Sequence, residues 1–153
     1  SKGIDVVAID LSQIAVDALS KIAIVRNLPI RPIVHNAGEG IPYYGSYFDA
    51  VYSHMFFNMR FSADKLKYLF VEVNRVLKND GLNLFSVRSD HDAMYRRGAL
   101  VEEDIYDING FQIRFFTKFD IEEIITKTGF DLYEITEAYE EPVNLYCVFT
   151  RKI

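Results

Sequence analysis

Two apolar segments close the chain, residues 130–136 and 145–151, and the short stretch between them, residues 137–144, decides how they pair. A parallel crossover needs about a dozen residues or more and usually contains a helix, so strands this close in sequence must run antiparallel. The start of the chain follows another pattern. Residues 4–9 are apolar on both faces apart from Asp5, as in a parallel strand covered by helices on each side. Asp10 ends that run and Ser12 is placed to cap a helix. Ile14, Ala15, Ala18, Leu19, Ile22 and Ala23 then recur at helical spacing as far as Asn27, with Pro29 as a stop. Together these features predict an α/β fold with an open sheet, mostly parallel, that ends on an antiparallel strand.

The middle of the chain fits this plan. A short strand over residues 31–35 leads into the loop NAGEGIPYYGSY, and a third strand follows over residues 48–53. Ser62 caps the next helix, whose inner face reads Leu66, Leu69, Phe70, Val73 and Leu77. Lys78 and the turn Asn79-Asp80-Gly81 mark its end. Residues 82–88 read as a buried strand. Residues 89–110 are polar, charged and poorly periodic, which predicts a loop longer than ordinary connections. Residues 111–116 alternate enough for a short strand. Thr117-Lys118-Phe119-Asp120 matches a capping box for a helix that turns Ile121, Ile124 and Ile125 inward and closes at Gly129.

Half of the 153 residues are apolar and 25% are charged, which suits one ordinary core and, most simply, a single domain. The net charge is −5, and no run of Lys or Arg exceeds the Arg96-Arg97 pair, so a nucleic-acid partner is not expected. No stretch approaches the roughly 20 apolar residues of a membrane span, and no basic segment with a small-residue cleavage site opens the chain. The single cysteine, Cys147, lies in an apolar run, which predicts a buried thiol in a reducing, cytoplasmic setting.

The order VVAIDLS, HNAGEGIPYYGSYFDAVYSHMFF, FVEVNRVLKNDGLNLFSVRS and GFQIRFFTKFDIEEIITKTGFDL resembles the small class I S-adenosylmethionine-dependent methyltransferases, near the tellurite-resistance and type 11 or 25 groups. The resemblance covers nearly all of the chain. Asn79 and Asp80 stand where other members often have Pro and Gly, and Asn-Asp-Gly also supplies turn chemistry. The resemblance implies a Rossmann-like sheet, S-adenosyl-L-methionine as cofactor, and in-line transfer of its methyl group to a small molecule. By the same resemblance Asp10 would bind the ribose hydroxyls and Leu11 would pack on the adenine. Asn36, where the family often has Asp, would read the adenine amino group beside the backbone N–H of Ala37. Ser53 and His54 would line the methionine end, with His54 also a candidate base. Each has a plainer reading: Asp10 as a helix N-terminal carboxylate, Asn36 as a turn residue, His54 as a solvated loop residue.

An expected piece is missing from this pattern. In dinucleotide-type sites a glycine-rich turn precedes the strand-end acid by roughly 20 residues, whereas only residues 1–9 stand before Asp10 and they hold no G-x-G. The later Gly38-Glu39-Gly40 follows the acid and leads into no clear helix. The first strand, glycine loop and first helix of the family are therefore expected to be missing, through truncation or supply by another chain. An exposed sheet edge and self-association are the expected consequence.

Other groups carry weaker signals. Arg88 and His91 lie just beyond a strand, where open-sheet ligands bind, and Arg114 offers a fork of donors to an anionic substrate group. Asp90, His91 and Asp92 are adjacent on an irregular run and make a poor metal set, so no metal is expected. Tyr43, Tyr44, Tyr47, Phe56, Phe57 and Met59 can wall a pocket, though most such residues are core. After the third strand the chain reads SHMFFN in place of an NPPY-like motif, which disfavours nucleic-acid amines as acceptors and leaves tellurite, thiol, small amine and carboxylate open. A non-catalytic remnant and a nicotinamide-binding domain are the rival readings, the second disfavoured by the antiparallel ending.

Overall fold

The computed structural model describes residues 3–153. These divide into two compact units, one ending at Pro42 and the other running from Tyr43 to Ile153.

In the first unit, β1 (Val6–Asp10) and β2 (Ile30–Val34) pair in parallel, from Val6↔Ile30 to Asp10↔Val34, and α1 (Gln13–Val25) connects them. Ser12 caps α1 as expected, its hydroxyl accepting the Ala15 N–H at 3.3 Å. Val16 and Ala23 form the buried stripe of the helix. Beyond β2, residues 37–39 make one 3₁₀ turn.

The second unit is a four-stranded sheet in the order β3-β4-β9-β8, formed by β3 (Phe48–His54), β4 (Leu77–Arg88), β9 (Val143–Lys152) and β8 (Phe130–Glu140). β3 and β4 are parallel, whereas β9 is antiparallel to both its neighbours, as the short final connection requires. α2 (Ala63–Val76) lays Leu66, Leu69, Phe70, Val73 and Val76 into the core, where Phe70 stacks on Phe57 at 4.3 Å and meets Phe85 of β4 edge-on at 5.3 Å. α3 (Lys118–Lys127) contributes Ile121 and Ile125. It begins on a complete capping box: Thr117 Oγ1 accepts the Asp120 N–H at 3.1 Å, and Asp120 Oδ2 accepts the Thr117 N–H at 2.8 Å.

Two sequence expectations are corrected. Helix α2 stops at Val76, and Leu77, wholly buried, already belongs to β4, so Asn79-Asp80-Gly81 is not a helix-ending turn. It is an irregularity within the strand, where the register jumps from Phe48↔Leu77 to Ala50↔Leu82 and Asp80 takes φ 61°. Gly81 is required there, because a Cβ would sit 2.8 Å from the Lys78 carbonyl oxygen. The second correction is the long loop. Within it, β5 (Ala99–Glu102) and β6 (Ile105–Ile108) form, and with β7 (Phe111–Arg114) they make a small antiparallel sheet. Four-residue strands are too short for a clear period, and burial of Ile105 and Tyr106 decides their conformation.

Candidate active site

The C-terminal tips of β1 and β2 are tied together by the His35 N–H, which donates to the Asp10 carbonyl at 3.0 Å. Asp10 Oδ1 accepts the Ser12 N–H at 2.7 Å, which fixes the carboxylate at the strand tip. Among the described residues no hydrogen bond reaches its other oxygen. Leu11, next along, is an apolar side chain left 68% exposed. Asn36 caps the 3₁₀ turn, with Oδ1 accepting the Gly38 N–H at 3.0 Å and Nδ2 donating to Glu39 at 2.9 Å. A Cβ on Gly38 would lie 2.9 Å from Asn36 Oδ1, so a larger residue there would push the capping side chain aside. The Ala37 N–H has no partner among the described residues. One edge of this small sheet therefore presents a half-free carboxylate, an apolar side chain and an open N–H. Those are the chemical partners of a ribose diol, a purine face and a purine edge, so these residues fit an adenosine moiety.

At the tip of β3, Ser53 and His54 face opposite sides of the sheet, as alternation demands. Ser53 Oγ is buried without a partner, while His54 lines an open pocket of about 230 Å³. There the Ser86 Oγ lies 2.7 Å from His54 Nδ1, and Glu140 Oε2 lies 3.6 Å from Nε2. Apolar walls come from Tyr52, Leu84 and Phe149. Cys147 is half-buried in the same lining, and burial, then the Glu140 charge, push its thiol up. Neither Ser86 nor Glu140 stands out in the sequence. The one signal for Ser86 is a hydroxyl inside an otherwise buried apolar strand, while Glu140 is hidden in an acidic run before Pro142.

The residues at and just beyond the end of β4 point to separate partners. Arg88 is paired bidentately with Asp92, Nη2 to Oδ1 at 2.8 Å and Nε to Oδ2 at 3.2 Å, so its fork is occupied. Asp92 also accepts the N–H groups of Met94 and Asn144 at 2.8 and 2.9 Å. Burial works to raise its carboxyl, but Arg88 and these two N–H groups outweigh it and hold the group below the usual range. Asp90 accepts from the Tyr146 hydroxyl at 2.8 Å, and burial first, then this carboxylate, raise the phenol. His91 faces Glu137 at 3.1 Å, a bond that raises the imidazole and lowers the acid. Among the described residues no three ligating side chains converge on a metal position.

Arg114 lies apart from these. It is buried, donates from Nη2 to the Phe61 carbonyl at 3.0 Å, and borders a second pocket of about 240 Å³. Asp64, Glu103, Asp104, Asp120 and Glu123 share that lining with Lys67 and Lys127, so Arg114 stands in a mixed-charge surround. Of the aromatic residues singled out, Phe57 is core and Tyr44 is exposed.

A family profile described as "Methyltransferase domain" matches residues 1–81. With the parallel strands, the antiparallel final strand and the acid at the β1 tip, this places the chain in the methyltransferase-domain family. No curated protein matches it in sequence. Its fold is that of solved methyltransferases. A S-adenosylmethionine-dependent methyltransferase from Methanosarcina mazei superposes with a TM-score of 0.85 at 18% identity, over 99% of this chain and 84% of that one. The 1,6-didemethyltoxoflavin-N1-methyltransferase of Burkholderia thailandensis, solved with bound 1,6-didemethyltoxoflavin and S-adenosylhomocysteine, gives 0.78 at 16% identity, over 99% and 62%. The [4+2]-cyclase SpnF gives 0.76 at 16%, over 97% and 67%. The last shows that this fold also serves other chemistry.

Proposed function

We propose that the chain is part of a S-adenosylmethionine-dependent methyltransferase acting on a small molecule in a reducing, cytoplasmic setting. The observation that carries this reading is the Asp10 carboxylate, fixed through one oxygen by the Ser12 N–H and open at the other, at the tip of a parallel strand. Its second oxygen is assigned to the ribose hydroxyls, Leu11 to the adenine face, and Asn36 with the Ala37 N–H to the adenine edge. His54 is assigned to the acceptor side of the chemistry. When bound, the cofactor supplies the activated methyl group, and the protein's part is to orient the reactants and exclude water. A net charge of −5 supports a small-molecule acceptor over a nucleic acid.

We expect the 153-residue chain taken alone to bind the cofactor weakly and to be inactive. Isothermal titration of the 153-residue protein with S-adenosylhomocysteine tests the binding. Each charge-assisted hydrogen bond to the ribose is worth about 1.5–3 kcal/mol, so Asp10→Ala should weaken affinity about tenfold or more. Unchanged affinity in Asp10→Ala would return the residue to helix-end electrostatics, and micromolar affinity in the parent chain would overturn the expectation of weak binding.

A further inference from the structure

We infer that the pocket between the first turn of α2, the β5–β6 turn and α3 binds a free α-amino acid with an apolar side chain, its carboxylate on Arg114 and its ammonium between Asp104 and Asp120. The site lies wholly within the second unit and stands whether or not the first unit holds the cofactor.

A buried charge without a counter-charge marks the site. Arg114 is 6% exposed, and among the described residues only its Nη2 has a partner, the Phe61 carbonyl at 3.0 Å. Its Nε is buried and unbonded, and among the described residues no carboxylate comes within ion-pair distance of the guanidinium. Taking a guanidinium out of water is costly unless a partner replaces the water. The side chain is held there from its backbone. The buried Asn58 Nδ2 donates to the Arg114 carbonyl at 2.6 Å, and β7 pairs Arg114 with Ile105 of β6. A fixed, desolvated cation is therefore left at the pocket wall, matched to a carboxylate.

Two acids share the lining with it. Asp104 is half-buried, and among the described residues its carboxylate accepts no hydrogen bond. Burial, then the Asp120 charge, raise this carboxyl although Arg114 works to lower it. The Arg114 and Asp104 charges thus lie close enough to be felt and too far apart to bond. Asp120 spends Oδ2 on the Thr117 cap, and among the described residues its Oδ1 is open. The rim adds little bias. Glu123 is paired with Lys127 at 2.8 Å, and exposed Lys67 offsets one of the exposed acids Asp64 and Glu103.

These charges select the ligand. A simple anion would meet the carboxylates of Asp104 and Asp120, and a simple cation would leave the guanidinium unpaired. A zwitterion whose two charges are neighbours satisfies both sides. About 240 Å³, walled by Leu66, Phe116 and Ile124, is small for a binding pocket and leaves room for one apolar side chain beside the charged groups.

L-Leucine is the test probe, titrated calorimetrically into the 153-residue protein, and it should bind at submillimolar concentration. 4-Methylpentanoate, which lacks the ammonium, and 3-methylbutylamine, which lacks the carboxylate, should each bind at least about tenfold more weakly, since each leaves a charged group of the site unpaired. 6-Aminohexanoate, an isomer of leucine with its charges at opposite ends, should be weakened by as much. Arg114→Met should abolish leucine binding, and with it the rise in thermal midpoint that leucine gives the parent. Asp104→Asn, isosteric at a half-buried side chain, should weaken leucine about tenfold and keeps the test independent of any loss of fold in Arg114→Met. No leucine binding at millimolar concentration, any of the three analogues binding as tightly as leucine, or undiminished binding in either variant would each overturn the site. The titration with S-adenosylhomocysteine is independent of all these outcomes, so failure of the amino-acid site and failure of the methyltransferase reading are separable.

Discussion

Asp92 shows how a charge run that looks solvated in the sequence can be structural. Its side chain is fully buried and takes four hydrogen bonds, two from Arg88 and one each from the Met94 and Asn144 N–H groups. Asp92→Asn leaves the Arg88 charge buried without its partner, a change that costs about 3–5 kcal/mol when a buried pair is broken. Thermal unfolding at neutral pH should show that loss. Its pH dependence follows from the depressed carboxyl. A group whose folded value lies below its unfolded value of 3.8 stabilises the fold above that value, and the contribution disappears as pH falls through the folded value. The difference between parent and variant should therefore be constant from pH 7 down to about 5 and shrink below about 4, within the range where the parent still folds. A difference that stayed constant under acid would mean the pairing is not what stabilises the loop.

At the scale of elements, capping was the most legible feature. Ser12, Ser62 and Thr117 each stand one residue before a helix and accept an N–H from within its first turn. Such caps are local in sequence, so one chain segment contains both partners. The box at Thr117 is reciprocal, and Thr117→Ala should destabilise the second unit by about 1 kcal/mol, with Thr117→Ser nearly neutral. Denaturant midpoints at unchanged slope would measure this; equal midpoints for Ala and Thr would mean that packing of Ile121 and Ile125 alone sets the helix start. Strand ends were less legible. β4 begins at Leu77, ahead of the Asn-Asp-Gly turn, because burial of that side chain outweighs the turn signal. β8 and β9 extend to Glu140 and Val143, well past the apolar runs, because a two-residue hairpin connection pairs the exposed residues too.

For the whole molecule, the open edges matter most. Among the described residues β1 pairs only with β2 and β3 only with β4, so each of these sheets ends on a parallel strand with one side unpaired among them. Parallel edges of this kind are templates for further pairing. We expect the 153-residue chain to self-associate, with light scattering reporting a dimer or larger species at micromolar concentration. A sharply monomeric species with one cooperative unfolding transition would overturn this. Among the described residues no helix is long and apolar enough to cross a membrane.

The sequence by itself determined the elements whose cause is local. The strand-acid-helix opening, the three caps, the antiparallel final pair and Asp10 at a strand tip all follow from residues near one another in the chain. It also named His54, but as a lone histidine with no partner, because Ser86 and Glu140 are distant in sequence and share no motif with it. Only the tertiary structure decided that Arg88 is spent on Asp92, that Arg114 is buried beside a pocket of mixed charge, and that Ser53 and His54 face opposite ways. The physical reason is the same in each case. A hydrogen bond or ion pair between strands depends on register and twist, which are set by packing across the sheet and leave no periodic trace in either strand alone.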